Sequence, residues 1–316
     1  MFKTDKYVLI KETEKTSDFM EIIFLGTSSA VPTLERNHPS IALRAFAEVM
    51  LFDCGEGTQR QLIEAKISPM KITKIFISHF HGDHILGLGG LIQSLGFRGR
   101  EKDLDIYGPK GLHKIINAIS QLGYFQINYN LNIHEVHEGK IIETEDYIVE
   151  CAKVDHNIPS YAYSISEKKK PMFLREKAEA LGIPPGPLYG KLHRGEEVEF
   201  DGNIIKPEQV LGEAKKGKKI TYSGDTRPCE EMIELARNSD ILIHESTYEA
   251  ADYQRAVDNA HSTSQEAAEI AKAANVKELV LTHISTRYTT DENILSEAQK
   301  VFENTLVARD YMKLEL

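Results

Sequence analysis

Three histidines and an aspartate fall within seven residues, SHFHGDH (78–84), between the apolar run IFI and the glycine-spaced ILGLGG. His79, His81, Asp83 and His84 form the pattern HxHxDH. Ligands two apart suit an extended or turning backbone, because residues that share a helix face stand three or four apart. Imidazoles favour zinc and its transition-series neighbours, and a carboxylate beside them adds attraction or orients water. A lone histidine in such a loop is ordinarily just hydrogen-bonded; four ligand-type residues at this spacing point to a metal. Seven residues cannot close two coordination spheres, so further donors are needed, and His156 in AKVDH, Asp225 in SGDT and His283 in LTHIS are the candidates.

SHFHGDH, SGDT, IHEST and THIS each put His, Asp or Glu directly after a strongly apolar strand, and side chains anchored at strand ends are held rigidly. MEIIFLG (20–26) reads as a buried strand, IALRAF and EVMLFDCG as a strand pair, and ITKIFIS as a strand sinking into a core. EGTQRQLIEAKI (56–67) reads as a helix with Leu62 and Ile63 near one face, and 84–97 as a helix loaded with small residues that let it pack close to the sheets. The order strand, turn, helix then repeats to the C-terminus. Residues 166–195 break the texture with charge, a short helix and a Pro/Gly-dominated loop that cannot lie inside a sheet. The expected organisation is an N-terminal extension (1–19), then one domain (20–316) with an inserted arm at about 164–195.

Composition narrows the class. Three widely spaced cysteines among 316 residues make no disulfide framework and fit a reducing compartment. The first residues carry acids and no apolar core of leader length, and no apolar run approaches the ~20 residues of a membrane helix. The expectation is a soluble cytoplasmic protein without membrane contact. A formal charge of −10 argues against a protein that coats nucleic acid nonspecifically, though it leaves room for a local basic patch.

HxHxDH with a distant His, an Asp in GDT and a final His resembles the metallo-β-lactamase superfamily of hydrolases. FLGTSSAVPTLERN (24–37), LFDCGEGTQRQL (51–62), FISHFHGDHILGLGGL (76–91), GIPPGPLYGKL (182–192), YSGDTRPCEE (222–231), IHEST (243–247), AHSTSQEAA (260–268) and LTHISTRY (281–288) together look like the ribonuclease Z (tRNase Z) family. The resemblance covers about residues 20–314. It implies an α+β fold, the four-layer αββα sandwich of the metallo-β-lactamases, and two zinc ions per subunit, with manganese or cobalt as substitutes. By position, one zinc would be held by His79, His81 and His156, the other by Asp83, His84 and His283, with Asp225 bridging. Asp155 is open between a solvated and a ligand-supporting role. Asp53 either fixes a histidine ligand from beneath or pairs with turn amides.

The activity so implied is hydrolysis of a phosphodiester in precursor tRNA, removing the 3′ trailer and leaving a 3′-hydroxyl on the tRNA and a 5′-phosphate on the trailer. Asp83 would orient the attacking water or accept its proton. Glu245 and His261 match a proton-shuttling pair, with serine here where the family block HEAT has alanine; the plainer alternatives are a surface glutamate and a helix-cap neighbour. The family's arm grips the tRNA body, which assigns RNA contacts to Lys168, Lys169, Lys170, Arg175 and Lys177, or else a solvated charged loop. Arg287 and Tyr288 could meet a phosphate and a terminal base, and Arg36, Asn37 and His38 could line the cleft. A homodimer is the family's habit. The rival readings are a hydrolase of small esters, thioesters or lactones with the same centre, and an RNA-binding scaffold with an inert site, which should lack ligands that this chain retains.

Overall fold

A computed structural model describes residues 19–123, 127–169, 171–214 and 216–316. The expected extension 1–19, apart from its last residue, and Lys170 therefore lie outside the described residues. Two seven-stranded sheets face each other. The first runs in the spatial order Lys313–Glu315, Glu21–Gly26, Ser40–Ala45, Glu48–Phe52, Ile72–Phe76, Leu104–Gly108, Leu131–Glu135. The second runs Thr305–Val307, Glu278–Thr282, Ile241–Glu245, Lys219–Tyr222, Ser160–Glu167, Tyr147–Val154, Gly139–Glu143. Each is antiparallel in one half and parallel in the other, the change falling at Glu48–Phe52 and at Lys219–Tyr222.

These strands read as continuous apolar runs because both of their faces are covered. Phe24, Met50, Phe52, Phe76, Tyr163, Tyr222, Ile243 and Val280 meet between the sheets. The alternate residues Leu25, Leu51 and Ile75 lie under helices Thr58–Glu64, Gly87–Phe97 and Leu112–Ser120, while Leu242, Leu279 and Leu281 lie under Glu230–Ala236, Ser264–Ala273 and Glu292–Val301. Helix, sheet, sheet, helix is the αββα sandwich that the resemblance implies. No helix among the described residues is long and apolar enough to cross a membrane.

Three local expectations are corrected. Leu62 is fully buried and Ile63 is 58% exposed, because neighbours in a helix stand about 100° apart and cannot share its face. The helix expected over 84–97 is broken at Leu86 into Gly82–Ile85 and Gly87–Phe97. The carbonyl of His84, which an unbroken helix would offer four residues on, instead accepts the N–H of Cys54 at 2.8 Å, and the Gly87 N–H turns to the Cys54 carbonyl at 2.9 Å. Nor does Gly87 pack on a sheet: a Cβ there would lie 2.0 Å from the Gly55 carbonyl oxygen, so it lets the helix abut the turn after Phe52.

The inserted body also has bounds different from 164–195. Ser160–Glu167 belongs to the second sheet, and the insertion is the segment 171–214, closed by pairing of Pro171–Phe173 with Leu211–Ala214. It has its own small core of Ala178, Ile183, Leu192, Val198, Ile205 and Val210. The hairpin Val198–Phe200/Asn203–Ile205 and the returning strand are too short for alternation to disclose them.

Candidate metal centre

Every candidate ligand stands just past a strand end. His79, His81, Asp83 and His84 follow Ile72–Phe76, His156 follows Tyr147–Val154, Asp225 follows Lys219–Tyr222, and His283 follows Glu278–Thr282. One donor atom from each of His79, His81, His156 and Asp225 lies within 4.8 Å of the others, and the same holds for Asp83, His84 and His283. Asp225 joins the two groups: its Oδ2 is 3.5 Å from His79 Nε2, 3.3 Å from His84 Nε2 and 3.4 Å from His283 Nε2. Gly224 allows that approach, since it takes a φ of +60° and a Cβ on it would be 2.7 Å from Cβ of Ser78.

The ring orientations are fixed from behind. His156 Nδ1 donates to the Ala260 carbonyl at 2.7 Å, which leaves the Nε2 lone pair for the centre. Asp83 Oδ2 accepts the Ala30 N–H at 2.9 Å and lies 3.4 Å from His283 Nε2. Burial would raise the Asp83 carboxyl, but the adjacent His283 and His84 imidazoles hold it below the ordinary carboxylate range. Burial and the neighbouring His84 push His79 well down. Buried Asp225 is held well below its ordinary value by His283, His84 and His79.

Two carboxylates organise the rest. Asp53, fully buried with φ +56°, accepts at Oδ1 from the Ser78 N–H (2.7 Å) and at Oδ2 from Ser78 Oγ (2.8 Å), Tyr222 Oη (2.7 Å) and His84 Nδ1 (2.7 Å). Asp53 thus holds both a turn amide and the imidazole of a candidate ligand. Across the site, buried Glu245 accepts from the N–H groups of Thr226 and Thr247 (both 3.1 Å), from Thr247 Oγ1 (2.8 Å) and from His261 Nδ1 (2.9 Å). Burial alone would lower His261, but the Glu245 carboxylate raises it to about 9. The N-cap of the helix after His261 is Thr263, which forms a capping box with Glu266, so His261 is free of that duty.

Ser78, Thr247, Tyr222 and Arg227 are supporting residues not singled out from the sequence. Arg227 donates to the His261 carbonyl at 2.5 Å and forks onto Glu266, fixing the backbone beneath the imidazole. The only trace they leave is position, beside HxHxDH, SGDT and HEST.

Other candidates sit apart from the ligands. Asp155 is exposed, and its backbone carbonyl accepts the Arg227 N–H. Arg36 does not line the cleft: its guanidinium donates to Thr27 Oγ1, the Ala308 carbonyl and Asp291. Asn37 binds the Glu56 carbonyl, and His38 is buried with Nε2 3.3 Å from the Ala30 carbonyl. Tyr288 Oη donates to Asp252 (2.7 Å) and accepts the Glu249 N–H (2.9 Å), while Arg287 stacks on Tyr248 at 5.4 Å. Lys168 pairs with Glu143 at 3.1 Å and Lys169 with Glu167 at 2.8 Å. Arg175 and Lys177 are exposed on helix Arg175–Ala180.

Residues 20–174 match the family described as anti-Pycsar protein Apyc1, and 200–284 match a beta-lactamase superfamily domain. A ribonuclease Z of Methanothermobacter thermautotrophicus is 57% identical over 297 residues, 94% of this chain and 97% of that protein. One of Archaeoglobus fulgidus is 45% identical over 94% of this chain and 97% of its own length. Among solved structures, the short form of human tRNase Z superposes with a TM-score of 0.68 at 28% identity, over 93% of this chain and 98% of that one.

Proposed function

The chain belongs to the ribonuclease Z family, and from that premise we infer that it is a metal-dependent endoribonuclease that removes the 3′ trailer of precursor tRNA. The observation that carries this reading is Asp225 standing between two donor groups with the Glu245–His261 pair alongside. The fit to metal rests on the donor set and on two of its atoms: His84 Nε2 and Asp225 Oδ1 are buried without a hydrogen-bond partner among the described residues. Among gathered imidazoles and carboxylates, such free donor atoms fit a divalent cation. His79, His81 and His156 would hold one cation, Asp83, His84 and His283 a second, and Asp225 both. Divalent cations held there, zinc first among them, activate water as a nucleophile and neutralise phosphoryl charge.

The chain's own residues supply the rest. Asp83, fixed by Ala30, orients the attacking water or accepts its proton. Attack at phosphorus breaks the bond to the tRNA 3′-oxygen, so the phosphate leaves on the trailer and that oxygen needs a proton. His261 donates it, as an imidazolium stabilised by Glu245.

For substrate grip we propose Lys168, Lys169 and Lys170 at the base of the arm, with Arg175 and Lys177 beyond them. The Lys168–Glu143 pair is a surface ion pair of about 0–1 kcal/mol, which phosphate oxygens can displace, whereas Lys169 is held by the largely buried Glu167 carboxylate. The body 171–214 holds five Lys/Arg against eight Asp/Glu, so attraction is concentrated at its base. Arg287 remains a proposed phosphate contact, whereas Tyr288, with its hydroxyl already engaged, offers only its ring. A homodimer is proposed as the assembly, supported by exposed Ile63 and Phe97 on outer helices of the first sheet and by exposed Leu86 at the break between two of them.

The test is to incubate zinc-loaded protein with precursor tRNA, an unrelated structured RNA and generic ester substrates, then map any cut to the nucleotide. Cleavage confined to the junction after the acceptor stem is expected. Ester turnover without RNA cutting would overturn the assignment in favour of a small-ester hydrolase.

A further inference from the structure

We propose that Thr247 is a positioning residue that ties the proton-donating pair to the metal centre, its hydroxyl joining the Glu245 carboxylate to the imidazole of His283. Thr247 is 2% exposed, two residues past Glu245 at the end of its strand. Its Oγ1 lies 2.8 Å from Glu245 Oε2, 2.9 Å from His283 Nδ1 and 3.3 Å from His261 Nδ1. A hydroxyl has one proton to give and two lone pairs to receive with. The carboxylate can only accept, so the Thr247 proton is committed to Glu245, and towards both imidazoles the hydroxyl acts as acceptor.

His261 has a nearer acceptor in Glu245 Oε1 at 2.9 Å, which leaves Thr247 as the partner of His283. His283 Nδ1 therefore carries a proton and donates it to Thr247. Its lone pair is placed on Nε2, 3.4 Å from both Asp83 Oδ2 and Asp225 Oδ2, where a ligand needs it. No proton crosses Thr247; the hydrogen bond fixes a tautomer and a ring plane. The backbone adds to the hold, because the Thr247 N–H also donates to Glu245 Oε2 at 3.1 Å.

The same device recurs independently on the opposite side. Ser78 Oγ donates to Asp53 Oδ2 at 2.8 Å and lies 2.9 Å from His79 Nδ1, so it too stands between a buried carboxylate and a ligand imidazole. At both places the carboxylate holds one imidazole directly and a second through a hydroxyl. Removing the Thr247 hydroxyl should therefore disturb two functions together, metal binding by His283 and the setting of Glu245 against His261. This rests on the reading of His283 as a ligand and His261 as the proton donor.

The experiment compares Thr247→Val, Thr247→Ala and Thr247→Ser with the parent protein in zinc affinity, by competition with a chelator, and in kcat and KM on precursor tRNA. Circular dichroism selects the folded variants. Valine or alanine should weaken one of two zinc ions by ~10–100-fold and lower kcat by a similar factor, the range for groups behind metal ligands, with KM within about threefold. Serine should return both quantities to within about threefold of the parent. Parental zinc affinity in a folded valine or alanine variant, or a serine variant as impaired as the valine one, would overturn the proposal. If the parent itself fails to cut precursor tRNA, the substrate assignment falls, and the zinc competition alone decides on Thr247 by the same two outcomes.

Discussion

The Asp53 and Glu245 sides of the site use one construction for different ends. Asp53 follows a strand and Glu245 ends one, and each is buried and accepts four hydrogen bonds from backbone, hydroxyl and imidazole. The imidazole held by Asp53 is His84, fully enclosed, with Nε2 facing Asp83 and Asp225. The one held by Glu245 is His261, whose side chain keeps 14% of its exposure, at the rim between His156 and His283. On the proposed reading His84 is an enclosed ligand, and His261 keeps the access a proton donor needs to reach a substrate. If that reading holds, similar carboxylate settings serve different chemistry according to where the imidazole's second nitrogen can go.

That contrast is most open to attack at His261. His261→Ala should lower kcat on precursor tRNA by ~10²–10⁴-fold, the usual worth of a general acid, with zinc content and Tm near those of the parent. Concurrent loss of zinc would make His261 a ligand and erase the distinction. Asp53→Ala should do the reverse. It strands the Ser78 and Tyr222 hydroxyls and His84 Nδ1 in a dry interior, at ~1–3 kcal/mol for each unsatisfied group, and should weaken zinc by ~10–100-fold. Thermal unfolding with metal titration measures both, and a variant that keeps its zinc while losing only kcat would contradict the assignment.

Glu245→Gln sharpens the electrostatic side. The carboxylate raises His261 against the lowering effect of burial, and a general acid works while protonated, so its rate contribution fades as pH climbs through the raised value. Neutralising Glu245 lowers that value. The alkaline limb of kcat/KM should move to lower pH, and an unmoved limb would remove Glu245 from the proton's path. At the arm, neutralising Lys168, Lys169 and Lys170 together should raise KM for precursor tRNA about three- to tenfold with a shallower salt dependence, leaving a small phosphodiester unaffected; equal loss on both would show that the segment supports the fold.

The smallest effect concerns residual strain. Every side-chain donor and acceptor of Asp53 and Ser78 is engaged, but beside Glu245 the Ser246 Oγ and His244 Nε2 are buried without a protein partner among the described residues. Ser246→Ala should therefore stabilise by ~1 kcal/mol, read as a rise in Tm with kcat unchanged. A fall would reveal a partner for that hydroxyl in solution.

How much was legible follows from range. HxHxDH declares itself because four ligand-type residues sit in one turn, and the strand exits at Asp225, Glu245 and His283 are visible as polar residues ending apolar runs. Tyr222 and Asp53 meet across 169 positions, so no local pattern links them. Arg36 looks like a cleft cation until Asp291, 255 residues away, is found to take its guanidinium. The arm's return strand leaves no trace in the sequence because three or four residues show no period.

The chain's own order of residues determined the chemistry: which side chains can bind a cation, where strands must be apolar on both faces, and that acids and imidazoles stand at their ends. Only the tertiary structure decided which of those groups meet, which nitrogen of each imidazole is left for the centre, and which charges are already paired. The reason is physical. Ligand type and strand period are properties of single residues and near neighbours, whereas tautomer, burial and hydrogen-bond partner are set by atoms that the fold brings from hundreds of positions away.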